Sequence, residues 1–177
     1  PHKGWSEQDP ADWWEGTKKA MKAAVTKSGL NNKDIIGLGF SGQMHGLVAL
    51  DKDNNVLRPA ILWNDQRTQE ECDEIIAGAG GLKGLLSYTN NTMLTGFTGG
   101  KILWVKKNEP DVYEKIEKFV MPKDYIRFLI TGELSTEVSD GTGTGLFNTE
   151  KREWNFDLIE KLDIKKSIFP VCRESDE

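Results

Sequence analysis

Histidine and cysteine are scarce in this sequence, with two of each among 177 residues. Cys72 and Cys172 lie far apart, and only His2 and His45 stand beside them. That excludes a zinc-ligand spacing and argues against a disulfide framework. The pattern points to a reducing, cytoplasmic setting. No apolar run approaches the ~20 residues that span a bilayer, and no signal-peptide pattern is visible in these residues. Internal repeats and low-complexity tracts are also lacking. Charge is not concentrated: 23 Lys and Arg against 28 Asp and Glu leave a net charge of -5, spread along the chain. Neither nucleic acid nor a membrane is therefore expected as a partner. An initiator methionine is missing too. The start at Pro1 and the tail VCRESDE predict a piece of a longer chain.

What is present suffices for one domain with a real core. Hydrophobic residues make up 37% and charged residues 29%, an ordinary balance for a globular protein. Asp9-Pro10 predicts a helix start, and Ser28-Gly29 its end. Trp14, Met21 and Val25 recur at helical spacing inside it. Residues 34–40, DIIGLGF, read as a strand buried on both faces. Residues 46–63 read as a hairpin around KDNN, with Pro59 marking an edge or a bend in the second arm. Helices are expected from Asp65 to Gly78, over 99–108 and over 110–118. GAGGLKG between the first two reads as loop. FVMP (119–122) is a short strand, KDYIRFLITG a helix, 135–149 a polar glycine-rich segment, and KREWNFDLIEKLDI a final helix. The order is mixed α/β. The 34–40 strand has no obvious sequential partner.

Two glycine loops invite a phosphate-binding reading, and both fail it. TGFTGGKI (95–102) has Thr95 where a P-loop needs glycine and Ile102 where it needs a hydroxyl. GTGTG (141–145) has the wrong spacing for a dinucleotide fingerprint. Both read as turns. Asn90-Asn91-Thr92 matches a glycosylation sequon by chance. Six tryptophans could form a glycan-stacking surface, but Trp14 and Trp104 sit in helical patterns that predict core positions. Trp63 differs, because it ends a strand and a polar run, NDQRT, follows it. SGQMHG (41–46) has the same form: a strand delivers Gln43, Met44 and His45 to its carboxyl end, between glycines that allow close approach. An imidazole there can bind a hydroxyl. A hydrogen-bonded histidine capping a turn is the competing reading.

The segment GFSGQMHGLVALDKDNNVLRPAILWNDQRT (39–68), with WSEQDPADWW (5–14), resembles the xylulokinases of the FGGY carbohydrate kinase family. GFTGGKILWVKKN (96–108) fits the first signature pattern of that family, including Thr98, Lys101, Trp104 and Asn108. MPKDYIRFLITGE (121–133) and SDGTGTGLFN (139–148) follow in family order. Glycerol kinases carry arginine and glutamate where Met44 and His45 stand.

The resemblance implies an α/β fold of the ribonuclease-H-like (actin, hexokinase) type, a mixed sheet with flanking helices that here lacks its first strands. Residues 1–177 would be most of the N-terminal sugar-binding domain. The family's glycine-rich first strand-turn would precede Pro1, and its catalytic aspartate and most of its ATP contacts would follow Glu177. The implied reaction is transfer of the ATP γ-phosphoryl group to D-xylulose, with Mg2+, in the full-length enzyme; the chain alone is expected to be inactive. Met44 and His45 match the positions that contact the ketopentose, Trp63 lines the sugar pocket, and Phe97 sits on another pocket wall. Gln43 and Asp65 are candidate supporting residues. Other substrates (L-ribulose, L-fuculose, gluconate, glycerol) and a non-catalytic sugar-binding module stay open. So does a homodimer of the full-length enzyme, and unpaired sheet edges would favour self-association of this chain.

Overall fold

A computed structural model describes residues 2–177; Pro1 lies outside the described residues. Strand β1 (Glu7–Gln8) leads into helix α1 (Pro10–Ser28). The helix starts where the sequence predicts: the Asp9 carboxylate accepts the Ala11 N–H at 2.9 Å, and Pro10 occupies the first turn. Gly29 closes it at φ 68°, a left-handed conformation that suits glycine. Its apolar stripe is thinly covered. Only Pro10 is buried, Trp14 is half-buried rather than in the core, and Met21 is 37% exposed.

The expected strand at 34–40 does not form. A 3-10 turn covers Asn32–Asp34, and the chain then runs without a ladder partner, with Ile36 fully exposed. An apolar run shows that a segment can be buried, but a strand also needs neighbours to take up its N–H and C=O groups. Among the described residues none is supplied.

The hairpin is present in altered form. Strand β2 (Val48–Leu50) pairs antiparallel with β4 (Lys118–Val120), Val48 opposite Val120. Its return arm touches it only at the bridges Leu50–Val56 and Leu47–Ile61. The turn is closed by Asp51, whose carboxylate accepts the N–H groups of Asp53 and Asn55 at 2.8 Å. Pro59 falls in the unpaired stretch, as a residue without an N–H should. The arm resumes as β3 (Ala60–Ile61), paired antiparallel with β1.

Helix α2 (Gln69–Gly78) starts later than expected, because Asp65 and Arg67 are taken up by an ion pair. Helix α3 (Leu82–Thr89) lies partly where a loop was expected. Gly81, at φ 92°, reverses the chain after α2 and opens α3. Helix α4 (Thr98–Asn108) is buried over residues 98–105, and α2 packs against it. A Cβ on Gly100 would stand 3.1 Å from the Cys72 sulfur.

Helices α5 (Pro110–Tyr113) and α6 (Pro122–Thr131) flank β4. The polar 135–149 segment is ordered as β5 (Ser135–Glu137), α7 (Val138–Thr142) and β6 (Phe147–Asn148). Glu137 caps α7 by accepting the Ser139 and Asp140 N–H groups at 2.8 and 2.7 Å. The final expected helix shrinks to β7 (Glu153–Trp154) and α8 (Phe156–Lys161), the latter capped by Asn155. Strand β8 (Val171–Arg173) pairs in parallel with β5, and β6 pairs antiparallel with β7. The core closes on Phe119, Phe147, Trp154 and Phe169, in edge-to-face contacts of favourable geometry. Among the described residues no helix is long and apolar enough to cross a membrane.

Candidate functional site

The Leu47–Ile61 bridge fixes the site. The Leu47 N–H donates to the Ile61 carbonyl at 2.9 Å, and two residues beyond it on either arm stand His45 and Trp63. The two expected strand-end residues therefore reach the same edge. Gly46 is required there: a Cβ would lie 2.6 Å from Cγ of Pro122. His45 itself takes a left-handed backbone at φ 67°, uncommon for a residue with a side chain. That conformation turns its carbonyl inward.

The His45 ring is held on two sides. Its Nδ1 lies 2.7 Å from the Gly143 carbonyl oxygen. A carbonyl only accepts, so Nδ1 carries a proton and Nε2 of the neutral ring keeps a lone pair. The ring stacks on Phe97, with centroids 4.9 Å apart and planes 20° from parallel. Gly143 is tightly enclosed: a Cβ there would stand 2.7 Å from both Cε1 and Nδ1 of His45 and 3.0 Å from Cε of Met44. Gly145, at φ 72°, would meet Met93 at 2.5 Å and Phe97 at 3.3 Å. Met44, His45 and Phe97 thus meet one another around the GTGTG segment, which sequence reasoning set aside as a turn. That reasoning lacked any signal for Gly143 and Gly145, because their partners lie far away in the chain.

Trp63 is 56% exposed. Its carbonyl lies against Gly96, where a Cβ would approach to 2.8 Å, so Trp63 and Phe97 stand on adjoining backbone.

The support comes from a residue that sequence reasoning noted only as part of a signature. Lys101 is fully buried, and its ammonium donates to the His45 carbonyl at 3.0 Å, to the Phe97 carbonyl at 3.3 Å and to the Gly96 carbonyl. Thr98 adds a hydroxyl bond to the His45 carbonyl at 3.1 Å.

Asp65 does not reach this group. It is fully buried and accepts the Ser6 N–H at 2.6 Å and the Arg67 guanidinium at 2.7 and 2.9 Å. Burial works to raise its pKa, but Arg67 and the two backbone N–H groups hold the carboxyl below the usual range. The guanidinium also stacks 3.7 Å from the Trp5 ring centre. Gln43 has a buried side-chain oxygen with no hydrogen-bond partner among the described residues.

Beside Met44 opens a cleft of about 860 Å³. Lys123 stands in it 3.2 Å from each of Asp124, Glu137 and Asp140. Burial raises the carboxyls of Asp124 and Asp140. Glu137 is held at about 2, against its own burial, by the Ser175 hydroxyl, two backbone N–H groups and Lys123. The lining as a whole carries Lys123, Arg127 and Arg173 against six acidic side chains, a formal excess of acids. Among the described residues no three His, Cys, Asp or Glu side chains converge in a metal-holding arrangement. The space between these carboxylates is filled by Lys123, so they do not fit a magnesium ion.

The whole chain, residues 1–177, matches the model of the FGGY family of carbohydrate kinases, N-terminal domain. The xylulose kinase of Staphylococcus xylosus is 45% identical over 170 residues, which cover 96% of this chain and 35% of that protein. The crystal structure of a xyloylose kinase from Brucella ovis superposes with a TM-score of 0.91 at 39% identity, over 98% of this chain and 36% of the other. A gluconate kinase from Lactobacillus acidophilus superposes at 0.87 with 27% identity, over 97% and 34%. The chain spans about a third of the length of the curated relatives it matches. The fold is that of the actin- and hexokinase-like ATPases, and the chain belongs to the FGGY family of carbohydrate kinases, where it corresponds to the N-terminal domain.

Proposed function

We propose that these residues form the sugar-binding part of an ATP-dependent kinase that phosphorylates D-xylulose. The observation that carries the reading is the His45 ring, fixed by Gly143 and Phe97 with Nε2 left to bind a hydroxyl. In this reading His45 bonds a hydroxyl of the ketopentose, Met44 and Phe97 pack against its carbon face, and Trp63 forms the outer lip. The part played by this chain is positioning, a large share of the barrier in phosphoryl transfer. ATP, its magnesium ion and the base that takes the hydroxyl proton belong to additional sequence, so the 177 residues alone have no turnover. The enzyme would work in the cytoplasm, in keeping with two free cysteines, and as a homodimer when full length.

Gluconate is the second reading, on the strength of the similar gluconate kinase. The charge of the cleft favours the neutral ketose. Six acidic side chains line it against Lys123, Arg127 and Arg173, an excess that would repel a sugar carboxylate. A glycan-binding module has less support. Trp104 and Trp154 are buried, Trp13 and Trp14 are half-buried, and the exposed face of Trp5 is shared with Arg67, which leaves Trp63 without a row of exposed indoles beside it. Calorimetric titration of the chain with D-xylulose, L-ribulose, glycerol and gluconate tests the choice. Tightest binding of D-xylulose supports it; tightest binding of gluconate or glycerol overturns the substrate.

A further inference from the structure

The side chains that form the candidate wall belong to two segments far apart in sequence. His45 ends a strandless run, and Phe97 precedes α4. Their rings stack, yet neither is held by regular backbone pairing. Two buried side chains of α4, Thr98 and Lys101, reach the His45 carbonyl, and of these only Lys101 also bonds the Phe97 carbonyl. The Lys101 side chain folds back over the first turn of its own helix and reaches the Gly96 and Phe97 carbonyls before α4 and the His45 carbonyl across the gap. Three ammonium protons meet three carbonyl oxygens, so the donor is fully used. A fully buried lysine is rare unless it is paired, and no carboxylate bonds this one.

We propose that Lys101 is a positioning residue of the sugar site: its ammonium, bonded to the His45, Gly96 and Phe97 carbonyls, sets the angle at which His45 and Phe97 face the ligand. The sugar part of this statement rests on the function proposed above. The arrangement explains the inward His45 carbonyl, which a left-handed backbone alone would leave buried and unpaired. It also explains why the acceptors are the carbonyls of wall residues, where a lysine serving only the core would find others.

Charged and titratable groups face Lys101 from two directions. Asp65 and Cys72 favour its charged form, and Arg67 opposes it. Burial is the largest influence and brings its pKa down to about 7. At pH 6 the ammonium keeps all three bonds; a neutral amine has only two protons to give.

The test uses the isotope-labelled protein at pH 6 and the Lys101→Met variant. The chain has only two histidines, so the imidazole 1H–15N spectrum is simple to assign. In the wild type His45 should show a slowly exchanging Nδ1–H, held by the Gly143 carbonyl, and upfield-shifted ring protons from the Phe97 face. In a folded Lys101→Met protein, both features should collapse towards those of His2, and D-xylulose affinity should fall at least about tenfold. An unchanged His45 spectrum in a folded variant overturns the proposal. If the methionine variant does not fold, Lys101→Gln takes its place: its amide keeps a polar group in the core, but its shorter stem cannot reach the His45 carbonyl, so the same displacement is expected. A wild type that binds none of the four sugars, with His45 still displaced in the variant, overturns the sugar reading and leaves the positioning role standing.

Discussion

Nδ1 of His45 lies 2.7 Å from the carbonyl oxygen of Gly143, a residue 98 positions further along the chain. One contact sets three properties: the tautomer of the ring, the direction of Nε2 and the absence of a side chain at position 143. Its consequences can be measured separately.

Gly143→Ala should damage the site more than the fold. The new Cβ would stand 2.7 Å from the His45 ring, so the ring must leave either Gly143 or Phe97. Sugar affinity should drop at least about tenfold, with a stability loss of about 1–3 kcal/mol from overpacking. Gly16→Ala, on α1, is the control: its Cβ would meet nothing within 4 Å. Calorimetric titration and thermal unfolding of both variants check the contrast.

Lys101 gives stability a pH dependence of defined sign. Its folded pKa of about 7 lies below the ordinary value of 10.5. Between these values the unfolded chain binds a proton that the folded chain has released, so stability rises with pH across the window. The contribution of this one group approaches about 1.4 kcal/mol per pH unit at most. Urea unfolding at pH 7 and pH 9 should show a steeper rise in the wild type than in Lys101→Met. Equal slopes would contradict it.

Asp65 should matter mainly for the fold. Asp65→Ala would leave the Arg67 guanidinium, whose side chain is 1% exposed, without its main partner. Breaking a buried pair from one side costs about 3–5 kcal/mol. Denaturant unfolding should show that loss, with a change in Trp5 emission as its stacked partner shifts. A loss under ~1 kcal/mol would mean that Glu7, which also bonds Arg67, compensates.

The exposed apolar run should make this chain self-associate. Ile36 is fully exposed and Leu38 half-exposed beside unpaired backbone, which invites pairing with another copy. Sedimentation of the 177 residues should depend on concentration, and Ile36→Asp should shift it towards monomer. A wild-type monomer at every concentration would count against the idea.

Legibility in the sequence followed the range of each interaction. Helix α1 could be read because Asp9, Pro10 and Gly29 are local signals. Helix α3 was hidden because the glycines around Gly81 suggest loop whether or not a helix follows. The 34–40 run was misread because its apolar pattern carries no record of which strands pair with it. Within the site, Met44, His45, Trp63 and Phe97 were singled out, Phe97 through family resemblance alone. Gly143 and Gly145 were missed because their reason for being glycine is a ring or sulfur brought in from another segment. Lys101 was visible as a signature lysine, but nothing in the sequence says that it spends its protons on three carbonyls.

The central claim is that His45 binds the sugar, and the most direct measurement is steady-state phosphorylation of D-xylulose, glycerol and gluconate by a full-length protein that carries these residues, with and without His45→Ala. The account predicts that D-xylulose is preferred and that the substitution lowers kcat/KM by about 2 kcal/mol or more, roughly thirtyfold. Preference for another substrate, or an unchanged kcat/KM in His45→Ala, would contradict it.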